Sequence, residues 1–152
     1  MKRFLVTLAG SCLYTGFFPV APATFLSLVW AAVWVFVPGA GQLSHPVALA
    51  VLLPVAVLLA GEMERWYGED ASRIVIDEFV GMQATFLLLE PSLATGVAGF
   101  LLFRFFDILK PFPVRRAEGA GGGLGVVLDD LLAGVYARAA LALLLPLLAS
   151  IP

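Results

Sequence analysis

Phe25-Leu26-Ser27-Leu28-Val29-Trp30-Ala31-Ala32-Val33-Trp34-Val35-Phe36-Val37, the breaker Pro38-Gly39-Ala40-Gly41, and then Val47–Ala60 carry no charged side chain, and the reading of this stretch decides the fold. Two apolar runs around a Pro/Gly cluster predict a helical hairpin in or against a bilayer. Each run is shorter than the ~20 residues of a perpendicular span, and extending the first back towards Phe17 supplies the missing length. Pro54 predicts a kink in the second. The charge-free region in fact runs from Phe4 to Gly61.

Further along, Phe79–Leu89 and Leu93–Phe103 flank Glu90-Pro91-Ser92 and predict a second hairpin or a broken helix, and Leu131–Leu148 is long enough to span alone. The expected fold is therefore all-α, a single domain over 1–152 with about five apolar helical segments and little or no sheet. The composition agrees: 61% of the 152 residues are apolar against 13% charged, where a soluble domain carries about a quarter charged. Mean hydropathy is +1.00. A net charge of −2 leaves no footprint for nucleic acid.

Between the apolar runs the charges fall in three clusters, Glu62 to Glu78, Arg104 to Glu118, and Asp129-Asp130. With two hairpins and a final span, these clusters join Lys2 and Arg3 on one side, which the positive-inside rule makes the cytoplasm. Arg138 breaks the pattern. It lies about 12 Å along a helix from Asp130, so it must snorkel, pair, or mark a shallower entry into the bilayer. Lys2-Arg3 followed by a short apolar run vaguely resembles a lipoprotein signal ending at Cys12, but the run is too short for a signal core, so cleavage is not expected.

One cysteine and one histidine exclude a disulfide framework, multi-cysteine metal sites and imidazole clusters, so any metal must be held by oxygen. Cys12 lacks an Arg six residues on, no Asp-x-Asp is present, and His45 sits in a turn opposite the charges, which removes three familiar phosphatase chemistries. What remains is carboxylate. Asp77-Glu78 and Asp129-Asp130 each open an apolar run, where helix capping is the simpler role for either pair alone. Capping needs only one acid of each pair. Together the four could position Mg2+ beside a substrate phosphate.

Arg104, Asp107 and Lys110 recur every three residues, a polar stripe on a helix that Pro111 and Pro113 should end. An ion-pair ladder is one reading. In the other, Asp107 joins the carboxylates while Arg104 and Lys110 bind phosphate oxygens, with Arg115 and Arg116 as head-group contacts. The glycine run 121–125 could bring amides to phosphate but matches no P-loop. Thr24, after Pro19-Val20-Ala21-Pro22-Ala23, is expected to cap the first helix.

Three of these segments resemble the bacterial phosphatidylglycerophosphatase A family, in the same order along the chain: Ile74–Gly81, Phe103–Pro113, and Gly122–Gly125 leading to Asp129–Gly134. Pro19-x-x-Pro22-Ala23-Thr24-Phe25 is similar to the family's Pro-Gly-Thr segment, with Ala23 where glycine is usual. The resemblance implies a Mg2+-dependent lipid phosphatase that converts phosphatidylglycerophosphate to phosphatidylglycerol and phosphate at the cytoplasmic face of the inner membrane. On it, Asp77, Glu78, Asp129 and Asp130 are expected to hold one or two Mg2+ ions, with Asp107 as a further ligand or general base. Arg104, Lys110, Arg115 and Thr24 are expected at the substrate. Direct water attack and an aspartyl-phosphate intermediate both remain open. The competing expectations are a small transporter or channel, a structural or regulatory membrane protein, and a phosphatase of the same fold acting on another ester.

Overall fold

The computed structural model describes residues 1–69, 71–117 and 120–148, without the side chains of 116, 117, 147 and 148. Asp70, Glu118, Gly119 and the Arg116 side chain, all within the charged or glycine-rich clusters, lie outside that description, as do the last two side chains of the final apolar run. The described residues form helices and turns without a strand: α1 (Lys2–Gly10), α2 (Pro22–Phe36), α3 (Pro46–Tyr67), α4 (Ile76–Thr85), α5 (Leu93–Leu109), the single turn α6 (Val114–Ala117) and α7 (Gly122–Leu148).

The helix ends correct several expectations. α2 does not extend back towards Phe17, because Ala21 adopts φ 46 and ψ 61 and a separate turn occupies Thr15–Phe17. Pro22 starts the helix, its missing N–H falling where no helical partner exists. Thr24 therefore lies inside the first turn, and the N-cap, Ala21, makes no side-chain hydrogen bond. Ala23 is also helical, so the left-handed backbone that would favour glycine falls at Ala21 instead. α3 keeps Pro54 in its interior and runs past Ala60 to Tyr67, ending at Gly68 with φ 98. Among the described residues this is the one helix long and apolar enough to cross a membrane, at 22 residues. α2, α4 and α5 have 15, 10 and 17 residues, below the usual crossing length.

α4 is the centre of the molecule. Nearly all of its residues are buried, wrapped by α2, α3, α5 and α7. On one side Trp34 of α2 stacks on Phe86 with ring centroids 4.1 Å apart, next to Phe103 and Ala133. On the other, Val80 packs with Ala56, Ala60 and Met63 of α3 and Val127 of α7. In an apolar solvent such packing, rather than water exclusion, holds helices together.

α4 and α7 approach closely at two glycines. A Cβ on Gly134 would lie 2.2 Å from the Gly81 carbonyl oxygen, and a Cβ on Gly81 would lie 2.7 Å from the Asp130 carbonyl oxygen. Only glycine lets the two backbones meet there. Arg138, further along α7, pairs: its Nε donates to the Leu87 carbonyl at 2.8 Å.

Candidate active site

The glycine crossing explains why acids from distant parts of the chain converge. Asp77 and Asp130 each precede one of the two crossing glycines by four residues, one helical turn. One oxygen each from Asp77, Glu78 and Asp130 falls within a cluster less than 4.8 Å across, and all three residues are buried. Asp77 and Glu78 occupy the first turn of α4, where the helix dipole favours acids, but the N-cap is Val75, without a side-chain cap. Asp129 and Asp130 do not open α7: they lie two turns inside it, beyond the reach of capping. Of the glycine run 121–125, Gly122 to Gly125 belong to the first turn of α7, with Gly123 against the α3 backbone at Gly61.

Burial raises the pKa of Asp77 well above the usual carboxylate range, reinforced by the charge of Glu78. Glu78 is pushed up to about 8 by burial and then by Asp130. Three buried acids side by side are unfavourable as free anions, and a divalent cation is the natural partner that lets them ionise together. Each also keeps one buried oxygen with no hydrogen-bond partner: Asp77 Oδ1, Glu78 Oε2 and Asp130 Oδ2. An all-oxygen, carboxylate-rich donor set fits a hard cation such as Mg2+.

α5 supplies the basic side. Arg104 Nη1 lies 2.6 Å from Asp107 Oδ2, and both side chains are mostly buried. That contact meets the distance of an ion pair but not the angle of a hydrogen bond, and Arg104 Nε and Nη1 have no hydrogen-bond partner. Burial, and then the nearby charges of Asp77 and Asp107, raise the pKa of Asp130 well above the usual carboxylate range. Lys110 departs from the expected stripe. It ends α5 at φ 45 and turns its Nζ to Asp129 Oδ2 at 2.8 Å. Asp129 Oδ1 accepts from the Asp130 amide at 3.0 Å, so this acid faces Lys110 rather than the three-carboxylate cluster.

The structure thus unites Asp77, Glu78, Asp130, Asp107 and Arg104, with Asp129 and Lys110 as an adjoining pair. Arg115 is exposed on α6, and Thr24 is half-buried on α2. The Cys12 thiol, raised to about 12 by burial and by the charges of Asp77 and Glu78, stays protonated, which agrees with striking out cysteine chemistry. The positioning residues Gly81 and Gly134 were visible in sequence as a repeated Asp-x-x-x-Gly within apolar runs, but not as a pair.

These features are those of an apolar all-helical enzyme that sets clustered, buried carboxylates beside a mostly buried arginine. The chain belongs to the phosphatidylglycerophosphatase A family, whose model matches residues 8–145, and it is a phosphatase. It is 41% identical over 146 residues to a Bacteroides thetaiotaomicron protein named "Putative phosphatidylinositol-3-phosphatase", covering 90% of this chain and 92% of that one. It is 32% identical over 124 residues to the Escherichia coli phosphatidylglycerophosphatase A, covering 80% of this chain and 72% of that one. A Haemophilus influenzae phosphatidylglycerophosphatase A is 51% identical over 73 residues, 45% of this chain and 43% of its own. No solved structure shows significant similarity to the chain.

Proposed function

We propose that this protein hydrolyses the phosphomonoester of phosphatidylglycerophosphate to phosphatidylglycerol and inorganic phosphate, with Mg2+ as cofactor, at the cytoplasmic face of the bacterial inner membrane. The observation that carries this reading is the buried trio Asp77, Glu78 and Asp130, each with an unmatched oxygen, beside Arg104 with unmatched donors. The family and its named relatives support the substrate. Orientation is supported by the N-terminal cations. Lys2 Nζ lies 3.3 Å from Glu62, and Arg3 stacks over Trp66 and Tyr67, so both join the charged end of α3.

Asp77, Glu78 and Asp130 would hold the cation. When bound, it supplies a Lewis acid that neutralises phosphate charge and makes a water more acidic. Arg104, anchored to Asp107 through Nη1, binds the non-bridging oxygens through Nε and stabilises the charge that builds there. Asp107 takes the proton of the attacking water as the water oxygen bonds to phosphorus. The bond from phosphorus to the glycerol oxygen then breaks, and the proton passes to that oxygen. Lys110 is held by Asp129 beside the cluster. The transport reading fits less well, since transport acids string along a path through the membrane, whereas these gather in one cluster.

The Bacteroides relative favours a second head group, a phosphoinositide. Phosphate release by the purified protein from phosphatidylglycerophosphate, phosphatidylinositol-3-phosphate and a soluble ester, each in matched detergent micelles, separates the readings. Release confined to the first is expected. Faster release from the phosphoinositide would transfer the assignment to that lipid, and release from neither lipid would overturn it.

A further inference from the structure

The proposed substrate carries acyl chains as well as a phosphate, and an apolar groove ends one helical turn from Arg104. Between α2 and α5 lies a cavity of about 330 Å³ lined almost wholly by apolar atoms. From α5 it takes Leu93, Gly96, Val97, Phe100 and Leu101. These residues precede Arg104 by eleven, eight, seven, four and three positions, the spacing of one helical face. The face therefore runs about 12 Å along α5 at ~1.5 Å per residue and reaches Arg104 one turn beyond Leu101.

α2 closes the other wall. Its contribution includes Ala31 and Ala32, small side chains that leave the space open, and Val35 touches Gly96. Gly41, just after α2, meets Pro91, just before α5, so the two helices run antiparallel. The start of α2, with Thr24, consequently lies towards the Arg104 end. The groove itself is apolar, and the polar residues Arg104 and Thr24 lie one turn beyond Leu101 and Leu28, an order that matches a lipid with a phosphate at one end of its acyl chain.

We infer that the α2–α5 groove is the acyl-chain subsite of this enzyme: the chain of the substrate lipid lies along Leu93–Leu101 while its phosphate is held at Arg104. This rests on the proposed lipid substrate. It adds a specificity determinant, because the space left by Ala32 and Val97, both exposed in the groove, sets how much chain is accommodated.

Two measurements test it. Ala32→Trp and Val97→Trp fill the groove from opposite walls, and Leu143→Trp places the same bulk on an exposed position of α7. The ratio of kcat/KM for a long-chain over a short-chain phosphatidylglycerophosphate should fall by about tenfold in both groove variants, the scale expected of a hydrophobic pocket, and stay at the wild-type value in Leu143→Trp. An unchanged ratio in both groove variants overturns the subsite. So does a ratio that changes only as the particle mass in detergent changes, which would make the face an interface between two copies.

The second measurement does not require turnover. A phosphatidylglycerophosphate with a photoreactive acyl chain should label residues 28–36 and 93–101 of the wild-type protein, and unlabelled lipid should suppress it. Labelling spread evenly over the exposed apolar helices overturns the groove even if phosphate is released. Groove labelling without phosphate release would instead keep the groove and overturn the proposed activity.

Discussion

α3 and α4 are neighbours in sequence and opposite in construction. α3 carries its apolar side chains outward: Val47, Val51 and Leu58 are 65%, 63% and 71% exposed. α4, less than half as long, turns every described position except Phe79 inward and carries Asp77 and Glu78 with it. The usual polarity of a globular protein is inverted, with apolar surface facing out and acids at the centre. Such an exterior is stable against lipid. The acids need another reason to be there, because buried like charges are unfavourable without a partner. Apolar residues thus fall both on the exposed face of α3 and in the interior around α4, whereas the buried acids mark the chemistry.

The largest expected effect breaks the interior while sparing the exterior. Asp130→Asn should lower kcat by more than about 10³-fold yet keep the fold, because it removes one of three buried like charges. Thermal unfolding in detergent should show that Mg2+ stabilises the wild type and leaves Asp130→Asn unmoved, since only a binding-competent native state gains from the ion. Next is Arg104→Lys, expected to reduce kcat/KM by about 10²-fold, because an ammonium lacks the planar fork; near-normal rates would remove the arginine from the phosphate.

Gly134→Leu attacks the crossing itself. Because even a Cβ at this position would meet the Gly81 carbonyl, it should destabilise the protein by at least ~1–3 kcal/mol, read as a lower unfolding midpoint. The smallest effect sharpens the comparison from the other side. Leu58→Ala on the outer face of α3 should change stability by less than ~0.5 kcal/mol, and a larger loss would show that α3 packs against protein there.

Much of this architecture was legible in the sequence. The apolar runs announced an all-helical protein, and the breakers at Pro38–Gly41 and Glu90–Ser92 separated its helices correctly. Helix ends were less legible. Nothing in Pro19–Thr24 reveals that Ala21 is left-handed, so α2 is shorter than length arithmetic required. Asp129-Asp130 looked like a helix start because glycine before an acid pair reads as a loop, whereas here glycine is what lets α7 approach α3. Residue types at the site were readable, but their partners were not. That Lys110 turns to Asp129 depends on one left-handed residue at the end of α5, which periodicity does not encode.

In the proposed reaction the buried trio binds a divalent cation that phosphate release requires. The most direct test is turnover of phosphatidylglycerophosphate by protein stripped with EDTA and then titrated with Mg2+, wild type beside Asp130→Asn. Loss of phosphate release in EDTA, saturable recovery with Mg2+ in the wild type and no recovery in the variant are expected. Full turnover in EDTA would contradict the account.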